Sequence, residues 1–378
     1  MKDTKRVTKV MVIAVIAMFA LTAVSIIPSD IDADDSIEIK DGNGHYITLS
    51  SPAEHVVAVG KGASATVIQL GGLDKIVVTD KYSNTATESV YDGLKQRVTD
   101  GKATAGGSMY SSGTAQLTTE IVDAVGLNRF DKDTDVIILT GGTDSTTVSM
   151  YDDLKSKGFK NILTWTSITT YDQIISFVDS TSKALTGGTS DKVKEMENVR
   201  DTIKNKLEKE GITEEMKHKC FYVTWSSSMF KVGNEGSLGT SLLQAAGGNV
   251  VTINKDINTT TYNTSLPGII DTYGKDIVIA ADNSIVTNGK SDDLKTQVGT
   301  DENTQIIPME SLWNNYDVES MTGVWTLACA MYPGYFSGDV PSLPTSETND
   351  NSIFIMLGVG AVAAVIIIGV FILVMKRH

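Results

Sequence analysis

Thr189-Ser-Asp-Lys-Val-Lys-Glu-Met-Glu-Asn-Val-Arg-Asp-Thr-Ile-Lys-Asn-Lys-Leu-Glu-Lys-Glu210 is the stretch that decides the fold. Val193, Met196, Val199, Ile203 and Leu207 recur at spacings of three and four, which puts one apolar stripe along a long amphipathic helix. Ser190 stands where a cap is needed, and Asp191 sits in the first turn, where a negative charge meets the positive end of the helix dipole. Gly211 ends the helix, with Lys209 in the last turn. Asp191/Lys194, Glu197/Arg200 and Asp201/Lys204 are opposite charges three apart, each worth roughly a few tenths of a kcal/mol. Such a helix is an ordinary surface element unless the chain on its two sides gives it something to join.

The flanks supply two similar halves. After a small hairpin over Ile37 to Leu49 and a break at Pro52, apolar strands alternate with helices. The strands are Val56-Val-Ala-Val59, Ile76-Val-Val78, Asp135-Val-Ile-Ile-Leu139 and Asn161-Ile-Leu-Thr-Trp165. Beyond the long helix the pattern restarts with Cys220 to Trp225, Val250 to Ile253, Asp276 to Ala280 and Gln305 to Pro308. Helices are expected between them over Ser237 to Ala246, Leu266 to Tyr273 and Asp292 to Val298, and Glu319 to Met331 closes the second half. Strands that are apolar throughout and separated by helices argue for mainly parallel sheets covered on both faces. An internal echo supports the duplication: Gly62 to Gly72 followed by Val77-Val78-Thr79 resembles Gly236 to Gly248 followed by Val250-Val251-Thr252. The fold class is therefore α/β, with two Rossmann-like lobes over 37–168 and 217–340 bridged by one long helix within 169–211.

The ends and the composition bound the setting. Lys2, Lys5, Arg6 and Lys9 precede the apolar run Val10 to Ile27, so 1–29 reads as a signal peptide or an N-terminal anchor. Ile353 to Met375 is uncharged and closed by Lys376-Arg377-His378; a transmembrane helix over 352–375 with its basic tail in the cytoplasm follows. Residues 341–351 form a short polar linker, and everything before it is placed outside the cell membrane as a single-pass protein's exterior part. The net charge of −14 disfavours nucleic acid and suits a soluble surface domain. Cys220 and Cys329 are the only cysteines; outside the cell they are free to pair or not.

Chemistry-bearing motifs are few. Gly60-Lys-Gly62-Ala-Ser-Ala65 follows a strand, opens a helix and has Asp80 twenty residues after Gly60, the outline of a dinucleotide fingerprint. The helix is short for that role, and small residues there also let any ligand approach backbone N–H groups. No His-x-x-x-His or Cys/His spacing suggests zinc, and no nucleophile elbow or triad order can be assembled. Neither a catalytic residue nor a resident cofactor or metal is assigned. An exported α/β enzyme using a nucleotide at the Gly60 loop remains the alternative from another class, and a surface sensing or adhesion domain of the same fold is a third.

Ser51-Pro-Ala-Glu-His-Val-Val-Ala-Val-Gly-Lys-Gly-Ala-Ser-Ala-Thr-Val-Ile-Gln-Leu-Gly-Gly-Leu-Asp-Lys-Ile-Val-Val78 resembles the opening of the substrate-binding proteins of ABC importers for ferric siderophores, haem and cobalamin. Thr134-Asp-Val-Ile-Ile-Leu-Thr-Gly-Gly142 and Gly236 to Val250 are similar to two further segments of that family, in the same order. The resemblance spans roughly residues 37–338 and implies a two-lobe fold, no enzymatic activity, and a ligand held in the cleft between lobes. By position it implies Gly62, Ser64, Tyr82, Ser108, Met109, Tyr110, Gly142 and Thr143 as first-lobe ligand contacts, with Trp225, Ser226, Asn283, Trp313 and Asn314 from the second lobe. It implies an ABC permease as partner, with Glu120 as a docking residue; Pro267 stands near where the second docking glutamate is expected. Arginine is scarce, with only Arg97, Arg129 and Arg200 outside the termini. Highly anionic ferric chelates call for bidentate arginine, so a less charged siderophore chelate or a corrinoid suits this chain better.

Overall fold

The computed structural model describes residues 36–343, apart from 111–112, 142–143, 252–260, 264–265, 275 and 300–304. The first lobe opens with an antiparallel hairpin, β1 (Ile37–Lys40) and β2 (Tyr46–Leu49). There follow β3 (Val56–Val59), α1 (Lys61–Gln69), β4 (Ile76–Thr79), α2 (Lys81–Thr85), α3 (Asp92–Thr99), α4 (Gly113–Gly126), β5 (Val136–Thr140), α5 (Asp144–Ser156) and β6 (Asn161–Trp165). Its sheet runs β4-β3-β5-β6 with every pair parallel. All four strands are buried along their whole length, the state expected of a parallel sheet sandwiched by helices.

The second lobe contains β7 (Lys219–Ser226), β8 (Met229–Gly233), α8 (Leu238–Ala245), β9 (Asn249–Val250), β10 (Thr261–Asn263), α9 (Leu266–Tyr273), β11 (Ile277–Ala281), α10 (Asn283–Thr287), α11 (Ser291–Val298), β12 (Gln305–Pro308) and α12 (Ser320–Met331). Its sheet is mixed: β9, β11 and β12 continue the parallel pattern, while β8 and β10 add an antiparallel flank. Strands β8 and β10 are absent from the sequence reading, because their alternating residues lack the apolar run that marks the buried strands.

Between the lobes lie α6 (Tyr171–Thr186) and α7 (Asp191–Lys209). The expected single rod is thus a pair of helices, and the break is chemical. Gly187 takes a left-handed φ of 85° as the C-cap of α6, a conformation that favours glycine. Ser190 then accepts the Val193 N–H to cap α7. The α7 stripe is buried as its spacing predicts, at Val193, Met196, Val199, Ile203 and Leu207. Of the three expected ion pairs, Lys194–Asp191 forms at 2.7 Å, but Arg200 turns to Asp172 on α6 and to Asp201, each at 2.9 Å.

The pair is antiparallel and reaches both lobes. Near its N-terminus α6 gives the Tyr171 hydroxyl to the Met196 carbonyl of α7. Farther along, the Ser180 hydroxyl donates to Lys40 O, and the Ala184 carbonyl accepts from Ala53 N. At the far end of α7, Leu207 and Ile203 pack beside Gly247 of the second lobe. One hydrophobic core runs from Leu163 and Val56 of the first sheet through Phe177, Met196 and Val199 to Tyr222, Leu242 and Trp325. Each fully buried aliphatic in that core contributes on the order of 1.5–3 kcal/mol, so the lobes are joined by a shared interior. Two smaller cores cover the outer faces of the sheets, around Ile137, Phe159 and Leu117, and around Phe221, Val232 and Ile279.

Among the described residues no helix is long and apolar enough to cross a membrane. The runs Val10 to Ile27 and Ile353 to Met375 lie outside them. Cys220 is buried and Cys329 partly exposed, and both are free thiols.

Candidate ligand cleft

Parallel strands deliver their carboxyl ends to one edge of a sheet, and the loops that follow them form the natural place for a ligand. In the first lobe these ends are Gly60 after β3, Asp80 after β4, Thr140 and Gly141 at β5, and Trp165 at β6. They face the second lobe across two adjoining cavities. The larger, about 440 Å³, is lined from the first lobe by Tyr110, Thr140, Trp165, Thr166 and Thr169 and from the second by Tyr222, Thr224, Ser237, Asn314 and Tyr316. The smaller, about 360 Å³, lies on the first-lobe side against Gly60, Lys61, Gly62, Asp80, Tyr82, Met109 and Tyr110, and is closed by Asn315 and Tyr316. Tyr110, Thr140, Gly141 and Tyr316 border both.

The lining is hydroxyl-rich and aromatic, with little free charge. The Tyr222 hydroxyl donates to Asp282 Oδ2 at 2.6 Å and accepts from Asn314 Nδ2 at 3.1 Å. Asp282 also caps α10 through the Ser284 N–H at 2.9 Å. Burial, and then the neighbouring Asp282 charge, push the Tyr222 phenol well above the usual tyrosine range. Among the described residues, Lys61 is the one lysine on the lining of either cavity, and its ammonium is held by Glu88 at 3.2 Å. No arginine among the described residues lines either cavity. This set can hold a small molecule by stacking and hydroxyl hydrogen bonds.

The structure gathers some of the sequence-derived residues and disperses others. Gly62, Tyr82, Met109 and Tyr110 line the smaller cavity, and Tyr110 and Asn314 line the larger. Ser64 is fully buried, bonded to Thr79 Oγ1 at 2.8 Å and to Ala58 O. Ser108 is likewise buried, its hydroxyl donating to Tyr110 O; it shapes the loop that carries Tyr110. Gly142 and Thr143 lie outside the described residues. Asn283 sits in the first turn of α10, away from the lining of both cavities. Trp313 packs against Gly323 of α12, where a Cβ would lie 2.7 Å from the Trp313 Cβ.

Trp225 and Ser226 show how strand phase redistributes side chains. Successive residues of a strand point to opposite faces. Tyr222 and Thr224 of β7 turn to the cleft, so Trp225 turns to the outer core, edge-on to Phe230 at 4.8 Å. Its ring borders a separate surface groove with Met229 and Gln297. Ser226 ends the strand opposite Met229, outside the lining of either cleft cavity. The sequence reading placed the aromatic residue in the cleft; the hydroxyl residues on alternate positions are the ones that reach it. Thr140, Trp165, Thr166, Thr169, Tyr222, Thr224, Ser237 and Tyr316 join the lining beyond the contacts that the resemblance implies, and for β7 the strand alternation is the signal that points to Tyr222 and Thr224.

Glu120 has local work. Its Oε2 accepts the N–H groups of Gly106 and Gly107 at 3.2 and 3.1 Å, and Oε1 accepts from Gln116. The Gly60 loop also has a different occupant from the one its fingerprint suggests. A Cβ on Gly62 would lie 2.3 Å from Asn315 O of the second lobe. Glycine is needed there because one lobe touches the other, whatever else the loop meets.

No family sequence model matches the chain, and no curated protein matches it in sequence. Solved structures do match in fold. A TroA-like periplasmic binding protein from Veillonella parvula aligns with a TM-score of 0.59 at 16% identity, covering 80% of this chain and 91% of that one. The periplasmic catecholate-siderophore binding protein of Vibrio cholerae aligns at 0.55 with 15% identity, over 78% and 99%. The periplasmic vitamin B12 binding protein of the same organism aligns at 0.50 with 16% identity, over 75% and 98%. With two sheets, a helical bridge and a cleft at the strand ends, the chain has the α/β fold of the two-lobe, TroA-like periplasmic binding proteins.

Proposed function

We propose that the protein is the extracytoplasmic substrate-binding component of an ABC importer, held at the cell membrane by its C-terminal apolar segment. It binds a metal chelate of the siderophore type or a corrinoid in the inter-lobe cleft and performs no catalysis. The observation that carries this reading is the cleft itself: two adjoining cavities at the strand ends, lined from both lobes by tyrosine, threonine, serine and asparagine. Structural neighbours that bind a catecholate siderophore or vitamin B12 support it. The scarcity of cleft cations favours chelates of low negative charge.

The mechanism is capture in a largely preformed site followed by delivery to a permease. The core shared by both lobes opposes wide hinge opening, so adjustment falls to side chains such as Tyr110, which is half exposed. The test is mass spectrometry and absorption spectroscopy of whatever small molecule stays with the full-length protein through native purification. A metal chelate or corrinoid in stoichiometric amount is expected. A nicotinamide or other nucleotide, or turnover of the bound molecule, would overturn the proposal. Tyr222→Ala should weaken retention of that molecule by about 1–3 kcal/mol, the range for a buried aromatic contact.

A further inference from the structure

The smaller chamber of the cleft sets a carboxylate among its aromatic rings; among the described residues the larger, also aromatic, has none on its lining. In the smaller chamber Tyr82 and Tyr110 meet edge to face with ring centres 5.4 Å apart, and Tyr316 closes the opposite side beside Met109. Beneath them lies Asp80, only 2% exposed. The carboxylate caps α2, its Oδ1 taking the Ser83 N–H and hydroxyl, and among the described residues no ion pair includes it. Lys61, which lines the chamber, is committed to Glu88 at 3.2 Å. A carboxylate shut away from water without a counter-charge is costly, and a cation brought by a ligand would relieve that cost. Tyrosine faces carry negative potential and attract ammonium groups. Tyr82 already does so: Lys81 Nζ stands 5.0 Å from its ring centre. The rings of Tyr110 and Tyr316 hold no such cation among the described residues.

We infer that this chamber is a subsite for an organic cation, an alkylammonium-type group borne by the cleft ligand. The inference rests on the proposal that the cleft is the ligand site, and it adds the charge of one end of the ligand. An anionic group there would face Asp80 and the rings of Tyr110 and Tyr316, a like-charge arrangement that discriminates against it. Burial raises the Asp80 carboxyl above the ordinary aspartate range, against the opposing pull of its hydrogen bonds from Ser83, Tyr82 and Gly60.

The test compares choline with its neutral isostere 3,3-dimethylbutan-1-ol, titrated calorimetrically into the full-length protein purified in detergent. The two probes share shape, so a difference reports charge. Choline should bind at least about tenfold more tightly than the alcohol. Asp80→Asn should remove that preference while keeping the α2 cap, since asparagine caps equally well. Tyr110→Leu should weaken choline, and Tyr110→Phe should retain it, with circular dichroism confirming the fold of each variant. Equal binding of the two probes, no binding of either, or a preference that survives Asp80→Asn would each overturn the inference. A protein that ignores choline yet retains a metal chelate on purification would lose the subsite and keep the proposed function; one that does neither would lose both.

Discussion

Across the seam beside α1, the Gly62 backbone comes so close to Asn315 that a methyl group would not fit; a few residues away, across the cleft, Tyr110 and Tyr222 stand at opposite walls of a 440 Å³ space. The same short loop after β12 serves both regions. Asn314 and Tyr316 line the larger cavity, while Asn315, which also borders the smaller one, and Asp317 turn into the seam. There Asn315 Nδ2 donates to the Tyr91 hydroxyl at 2.8 Å, and that hydroxyl donates to Lys61 O. Val318 N donates to Gln69 Oε1, and Ser311 donates to Glu88, the partner of Lys61. Tyr316 itself holds a left-handed φ of 59°, a strained state costing roughly 1–2 kcal/mol for a residue other than glycine. Closure and recognition therefore share a backbone, so a disturbance of the seam reaches the ligand without any long pathway.

The largest expected effect comes from forcing the seam apart. Gly62→Val places branched carbons against Asn315 O and the Tyr316 ring, and overpacking of this kind costs at least about 1–3 kcal/mol. Both the thermal midpoint and retention of the cleft ligand should fall together. Loss of stability with normal ligand retention would show that the two regions are independent.

Next is the buried acid of the seam. Asp317 is wholly buried and accepts the Glu319 N–H at 2.8 Å and Asn315 Nδ2 at 3.1 Å. Burial is the main cause pushing its carboxyl up from 3.8 to about 7. The folded chain thus keeps a proton that the unfolded chain has released between about pH 4 and pH 7. This contribution to stability is full in acid and is lost as pH rises through that window, at up to about 1.4 kcal/mol per pH unit. Asp317→Asn should flatten the slope of midpoint against pH over that window, even if the Asn315 contact weakens. A slope equal to that of the parent protein would remove Asp317 as its source.

How much of this was legible beforehand depends on the kind of signal. The strands β3 and β11 are apolar runs, and β4, β5 and β6 nearly so, and the α7 stripe is strictly periodic; burial alone dictates both, so the sequence shows them. The Gly187 turn that splits the bridge rests on one glycine among several, and periodicity on either side hides it. Cleft residues were harder. Tyr110 and Gly62 belong to recognisable small-residue loops, but Thr166, Thr169 and Tyr316 matter only because two distant segments converge. That convergence is a property of packing between lobes, which spacing along the chain does not encode.

A smaller effect should come from the seam's hydrogen bonds. Tyr91→Phe and Asn315→Ala each remove one side of the 2.8 Å contact, and a double-mutant cycle should return a coupling of about 1 kcal/mol. Additive effects within error would mean that water replaces the bond freely and that glycine packing alone closes the seam.

The least effect on binding is expected where the sequence reading expected one of the greatest. Trp225→Ala removes an indole that packs on Phe230 and lies under Lys290 Nζ, 5.0 Å from the ring centre. Its backbone N–H, which bonds Ser284 Oγ at 3.0 Å, is unchanged by the substitution. Stability should drop by roughly 1–3 kcal/mol for a partly buried aromatic, while affinity for the cleft ligand stays the same. Tyr222→Ala, three residues earlier and on the opposite face of β7, should do the reverse and chiefly weaken binding. If Trp225→Ala lowered affinity as much as Tyr222→Ala, the surface groove around Trp225 and Met229 would have to join the ligand site, and the division of β7 into a cleft face and a core face would fail.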